Sequence, residues 1–191
     1  MVGAGACGAR AGRQLLSPGP SGPHSGVPGP PDDLVLVDPD AERADAVARS
    51  LGEPARVAST VPELDAGDVL LLTAPGSPAS EARAAIGRGA HVVSTTDVVP
   101  EVRALLELDG VAGKAGVHVV VGAGFSPGLS CGLAALGARA FEQVTEIHVA
   151  KAGTGGPACA RQHHTALNGS AFDWRDGDWH CRSGGSGREL C

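Results

Sequence analysis

Three glycines near the start of the chain stand at a spacing suited to phosphate chemistry. Gly3, Gly5 and Gly8 spell G-x-G-x-x-G within VGAGACG. In this pattern the first glycine permits a tight turn after a strand, and the second lets the backbone approach a pyrophosphate. The third lets the next helix pack closely on the strand. The helix N-terminus then turns free N–H groups and partial positive charge toward the phosphates. Asp38 ends the apolar run Leu34–Val37, where a carboxylate can accept hydrogen bonds from a ribose diol. Its separation from Gly8 exceeds the usual ~20 residues, and the intervening segment 17–32, SPGPSGPHSGVPGPPD, accounts for the excess. The same residues also suit a plain glycine turn and a helix capped by Asp38-Pro39-Asp40.

A second cluster, VHVVVGAGFSPGLS at 117–130, has an apolar run before it and Pro127 where a helix would begin. It is assigned to the loop after a late strand, where substrate and nicotinamide commonly meet, and a simple strand-to-helix turn is the competing reading. Lys151, after a predicted strand, is a candidate to polarise a carbonyl or imine, against the commoner role of a solvated surface charge. His163 and His164 are candidate substrate ligands or proton donors. Cys159, His180 and Cys181 add further N and S donors, but no C-x-x-C or spaced His pair occurs, so no metal site is expected. Cys7 falls at a helix N-terminus, a position that lowers a thiol's pKa, although a small loop-filling residue is the simpler account.

The elements that must position these residues alternate two patterns. Leu34–Val37, Val69–Thr73, His91–Thr95 and Val117–Val121 are almost continuously apolar, as strands covered on both faces must be. Between them lie helical stripes: Ala44, Val47, Ala48 and Leu51; Val102, Leu105 and Leu106; Leu129, Leu133, Leu136 and Ala140. A helix is also expected over Ala9 to Leu16, weakened by Gly12. Such alternation means βαβ units and a parallel sheet. The Pro/Gly-rich segment 17–32 is read as a flexible surface loop. After Phe141 the rhythm changes: Val144–Ala150 reads as a strand, no comparable helix follows, and AFDWRDGDWHC reads as a hairpin. Its Asp176-Gly177 turn would set Trp174 opposite Trp179 and Arg175 opposite Asp178.

The fold expected is α/β: a doubly wound parallel Rossmann-type sheet over 1–142, with a truncated α+β second domain over 143–191. Only Met1 and Val2 precede Gly3, which leaves the central first strand short. The chain is accordingly expected to be a fragment, marginally stable, prone to aggregate and without turnover. A stub of strand at 1–3 and exposed apolar surface beyond 143 should mark it.

Composition limits the function classes. The 191 residues carry 15 Lys and Arg against 21 Asp and Glu, a net charge of −6, which offers no basic surface for nucleic acid. No apolar run approaches the ~18 residues of a membrane helix, and no signal-peptide pattern opens the chain. Five cysteines without paired spacing suit reduced thiols in a cytoplasm. Tyr is absent, which excludes the Tyr–Lys chemistry of short-chain dehydrogenases.

Taken together, VGAGACG, VLVDPDAERADAVA, DVLLLTAP, AAIGRGAHVVSTTD and VVGAGFSPGLS resemble the NAD(P)-binding domain of the saccharopine dehydrogenase (saccharopine reductase) family, over roughly residues 1–150. GAHVVSTTD and GFSPGLS are the most specific parts. The Glu-Lys-Pro motif of the related Gfo/Idh/MocA group is missing, with TTDVVP in its place, which argues against a sugar-type dehydrogenase using that lysine.

The resemblance implies hydride transfer between NAD or NADP and a small amino-acid-derived substrate, often through an imine. A homodimer is implied for a full-length form. Carried over by position, Gly3, Gly5, Ala6, Cys7 and Gly8 would hold the pyrophosphate and Asp38 the adenosine ribose. Thr73, Ala74 and Pro75 would line the cofactor edge, and Thr96 and Asp97 would sit near the nicotinamide ribose. Phe125 and Ser126 would approach the reacting ring. Asp38 favours NAD modestly, since a carboxylate repels a 2′-phosphate, and Arg43 on the next helix offsets part of that. Two alternatives stay open: a non-catalytic dinucleotide-binding or redox-sensing module, and a methyltransferase, which also uses a glycine-rich first loop.

Overall fold

The computed structural model describes residues 1–17, 29–76, 78–149, 155–175, 178–184 and 186. Two compact units divide the chain, Met1–Lys151 and Ala152–Cys191.

The first unit is α/β with parallel strands. β1 (Leu34–Leu36) pairs with β2 (Ala55–Val57), and β3 (Val69–Leu72), β4 (His91–Ser94) and β5 (Val119–Val120) pair in that order. Val2 bridges in parallel to Val37 on one side and Leu72 on the other. The Val37 N–H donates to Met1 O (2.9 Å), Gly3 N–H to Val37 O (2.8 Å), Val2 N–H to Leu71 O (2.8 Å) and Thr73 N–H to Val2 O (2.9 Å). The extended segment 1–3 therefore lies between β1 and β3 and ties the two sheets together. Its pairing consists of the isolated bridges at Val2.

Strand side chains alternate in direction, and the buried apolar residues fall into two cores. Leu70 and Leu72 enter one core with Val92, Ala82, Ala85 and Ile86 of α3 (Pro78–Gly87), and Leu105 of α4 (Val99–Leu106). Leu108, which caps α5 (Asp109–Ala115), and Ala112 within it complete that core. Leu71 instead packs against the second core of Met1, Ala4, Leu34, Leu36, Ala44 and Ala48, with Ala11 of α1 (Ala6–Leu16) and Val47 and Leu51 of α2 (Ala41–Leu51). α2 starts where the Asp40 carboxylate accepts the Arg43 N–H (3.0 Å) and stops at Gly52, φ 75°.

Several expectations are corrected. β2 is an extra strand; its ARV sequence is only half-buried and follows Glu53-Pro54, so it lacks a strong apolar signature. α1 begins at Ala6 rather than Ala9, because Gly5 itself serves as N-cap. The stripe Leu129, Leu133, Leu136 does form a helix, α6 (Leu129–Ala138), yet those leucines are 54%, 56% and 64% exposed rather than core. The described part of Val144–Ala150, residues 144–149, forms no strand and exposes Val144, Ile147 and Val149.

In the second unit a helix stands where none was expected, α7 (Pro157–Asn168). Pro157 opens it and Gly169 follows it, signals that its weak apolar stripe obscured. β6 (Ser170–Arg175) and β7 (Asp178–Ser183) form the antiparallel hairpin, with Trp174 opposite Trp179 and Arg175 opposite Asp178, the register expected. The turn residues Asp176 and Gly177 lie outside the described residues, as does 18–28 of the Pro/Gly-rich loop.

Candidate functional site

The loops at the carboxyl ends of the parallel strands converge on the glycine motif. Gly3 has φ +101°, and a Cβ there would lie 2.7 Å from Ala74 N and 2.8 Å from Thr73 Oγ1. At Gly8 a Cβ would fall 1.9 Å from Gly3 O. Only glycine allows these approaches of loop to strand and helix to loop. Gly5 differs: a Cβ there meets nothing within 4 Å among the described residues. Its φ of −69° and ψ of −172° suit any residue, so no local backbone demand explains the glycine. The open side of Gly5 adjoins the first turn of α1, whose N–H groups have no acceptor within the helix and which carries no acidic residue.

Asp38 straps this loop to β1. Its Oδ2 accepts the Ala4 N–H (2.7 Å), and its Oδ1 accepts the Asp40 N–H (2.9 Å) and an Arg43 guanidinium N–H (2.5 Å). Burial pushes the Asp38 carboxyl up; the Arg43 guanidinium and the Ala4 and Asp40 N–H groups outweigh that and hold it below its ordinary value. A depressed value in the folded state means stability that is present above the unfolded value of about 3.9 and lost as pH falls through the folded one. Asp38→Asn is therefore expected to cost about 2 kcal/mol at pH 7, with the gap to the parent closing below about pH 4. Thermal melts of both proteins across pH 3–7 check this, and a gap independent of pH would contradict it.

The other loops are tied in by side chains. Thr73 Oγ1 lies 2.8 Å from Gly3 O and 3.0 Å from Val2 O, so it secures the glycine loop to the end of β3. Ala74 N–H donates to Val2 O (3.2 Å). The Cys7 thiol lies 3.9 Å from Thr95 Oγ1, which brings the first turn of α1 to the end of β4. The carboxylate of Glu101 accepts the Gly76 N–H (3.1 Å) and the Thr96 hydroxyl (2.6 Å), clasping the loops after β3 and β4. Ala123 N–H donates to Ser94 O (2.9 Å), and a Cβ on Gly124 would lie 3.3 Å from Thr95 O. The cluster 122–128 folds tightly on itself, with Gly128 at φ +127° against the carbonyls of Gly124 and Gly122. In the turn that follows, the backbone at Gly128 and then the Ser130 hydroxyl lower the exposed Cys131 thiol.

Of the residues expected at a site, Gly3, Gly5, Ala6, Cys7, Gly8, Asp38, Thr73 and Ala74 are thus assembled around one loop. Pro75 and Asp97 are exposed on the neighbouring loops, and Thr96 is occupied by Glu101. Phe125 and Ser126 are exposed in the loop whose Gly124 touches the end of β4. Lys151 lies outside the described residues; His163 lies on α7, in the other unit, and its side chain is outside them too. Sequence reasoning missed Thr95 and Glu101. Glu101 had one signal, an acidic residue in the first turn of a helix opened by Pro100.

Among the described residues no three His, Cys, Asp or Glu side chains are grouped to hold a metal ion, and no helix is long and apolar enough to cross a membrane. No protein-family model, curated protein or solved structure matches the chain.

Proposed function

We propose that the first unit is a doubly wound, Rossmann-type dinucleotide-binding domain, and that the protein is an NAD(P)-dependent oxidoreductase of the saccharopine dehydrogenase-like class. The observation that supports this best is the division of labour among the three glycines. Gly3 and Gly8 are closed in by protein atoms, whereas Gly5 faces open space at a helix N-terminus. Internal packing explains the first two, and a ligand approaching the backbone explains the third. The strand sequence β2, β1, the segment 1–3, β3, β4, β5 is compatible with the same reading.

When bound, the nicotinamide would supply hydride transfer. The chain's own part is to cradle the pyrophosphate with the backbone of Gly5, Ala6 and Cys7. Thr73 and Glu101 hold the loops that flank the site. An amino-acid-derived substrate, an amine or imine, is proposed from the resemblance described above.

Titration of the full chain with NADH, followed by nicotinamide fluorescence, tests the reading. Saturable binding in the micromolar range is expected, with no competition from S-adenosylmethionine. Binding of S-adenosylmethionine in place of NADH would select the methyltransferase alternative.

A further inference from the structure

We infer that Arg43 fixes the cofactor choice of this site, and that the nucleotide it takes is the 2′-phosphorylated one, NADP(H). The inference rests on the dinucleotide reading and deepens it. The modest NAD preference expected from the sequence treats Asp38 as an acceptor open to a ribose diol. In the fold its carboxylate already accepts three hydrogen bonds, from Ala4, Asp40 and Arg43, and its side chain is only 4% exposed. A carboxylate has roughly four acceptor positions. Here most are used and little of the group can be reached by a ligand.

Arg43 lies on the outside of that arrangement. Its side chain is 45% exposed, with one guanidinium nitrogen on Asp38 Oδ1 (2.5 Å) and the other on Asp40 Oδ2 (3.0 Å). The two contacts differ in kind. The Asp40 pair is exposed on both sides, so water and salt screen it and it is readily exchanged. The Asp38 contact joins a buried carboxylate and holds the guanidinium in place. What a ligand meets beside the glycine loop is therefore a planar cation whose remaining N–H groups have no partner among the described residues. Arginine recognises phosphate with its N–H fork, through paired charge-assisted hydrogen bonds. Asp38 then acts as a positioning residue for Arg43, and a phosphate displaces Asp40 rather than Asp38.

The test compares NADH with NADPH, and 5′-AMP with adenosine 2′,5′-bisphosphate, on the full chain at one ionic strength. NADPH is expected to bind about tenfold more tightly than NADH, as is the bisphosphate relative to 5′-AMP, with both ratios shrinking as salt rises. Arg43→Ala should lower NADPH affinity about tenfold and leave NADH affinity equal or higher, while Arg43→Lys should keep part of the preference. The parent ratio alone decides the matter should a variant fail to fold. NADH binding as tightly as NADPH, or Arg43→Ala weakening both equally, overturns the inference and leaves the dinucleotide reading standing. Binding of neither dinucleotide removes both.

Discussion

Gly5→Val is expected to lower the affinity for NADH and NADPH by at least about 100-fold while leaving the melting temperature within a few degrees of the parent. The two halves of that expectation come from one geometry. A Cβ at Gly5 meets nothing within 4 Å among the described residues, and the backbone there is extended, so a side chain at this position meets no demand for positive φ and no clash at its Cβ. On the dinucleotide reading proposed above, the same open space is where a pyrophosphate would come close to the backbone and to the N–H groups of the first turn of α1. On that reading the added isopropyl group would hold the phosphates beyond hydrogen-bonding distance, and charge-assisted bonds weaken steeply once lengthened. Fluorescence titration beside a circular-dichroism melt reads both effects. Unchanged affinity in a folded variant would remove the pyrophosphate from this loop.

Gly8→Ala should do the reverse and fail at the level of folding. Its Cβ would lie 1.9 Å from the Gly3 carbonyl oxygen and 2.8 Å from Thr73 Oγ1. The first is backbone and cannot rotate aside. The second is a side chain that itself secures Gly3 O to the end of β3. Relief requires α1 to move away from the strands, which opens the core formed by Ala4, Ala11, Leu34 and Ala44. Overpacking of this kind costs about 3 kcal/mol or more, a large part of a typical net stability of ~5–15 kcal/mol. A fall in melting temperature of roughly 10 °C is expected for a unit of this size. A melt indistinguishable from the parent would show that the helix is not packed on the loop as described. Between them the two variants separate a glycine required for packing from one kept clear for a ligand.

Much of the first unit was legible because local chemistry and global fold agree there. The continuous apolar runs at 34–37, 69–73 and 91–95 became β1, β3 and β4, each within a residue of its expected end. Residues of both side-chain directions reach a buried or partly buried position there, which an apolar run suits. The hairpin register followed from turn chemistry alone, with Trp174 opposite Trp179. The strand β2 was not legible, since an edge strand with one half-exposed face needs no apolar run. Nor was α7, whose boundaries were marked by Pro157 and Gly169 but whose stripe is weak.

The sequence by itself determined the glycine spacing, the acidic residue ending the next strand, and the alternation that makes parallel strands. These are matters of φ, side-chain size and periodicity, which each residue brings with it. Tertiary structure alone decided which glycines are closed and which is open, because that depends on Thr73, Ala74 and the Gly3 carbonyl arriving from elsewhere in the fold. It also decided that α6 would leave Leu129, Leu133 and Leu136 exposed, since periodicity marks an apolar face without naming what covers it. And it decided that the Asp38 carboxylate would be spent on Ala4, Asp40 and Arg43 rather than left open. A carboxylate's availability depends on the donors around it, and those donors are assembled only when the loop at 3–8 meets the start of α2.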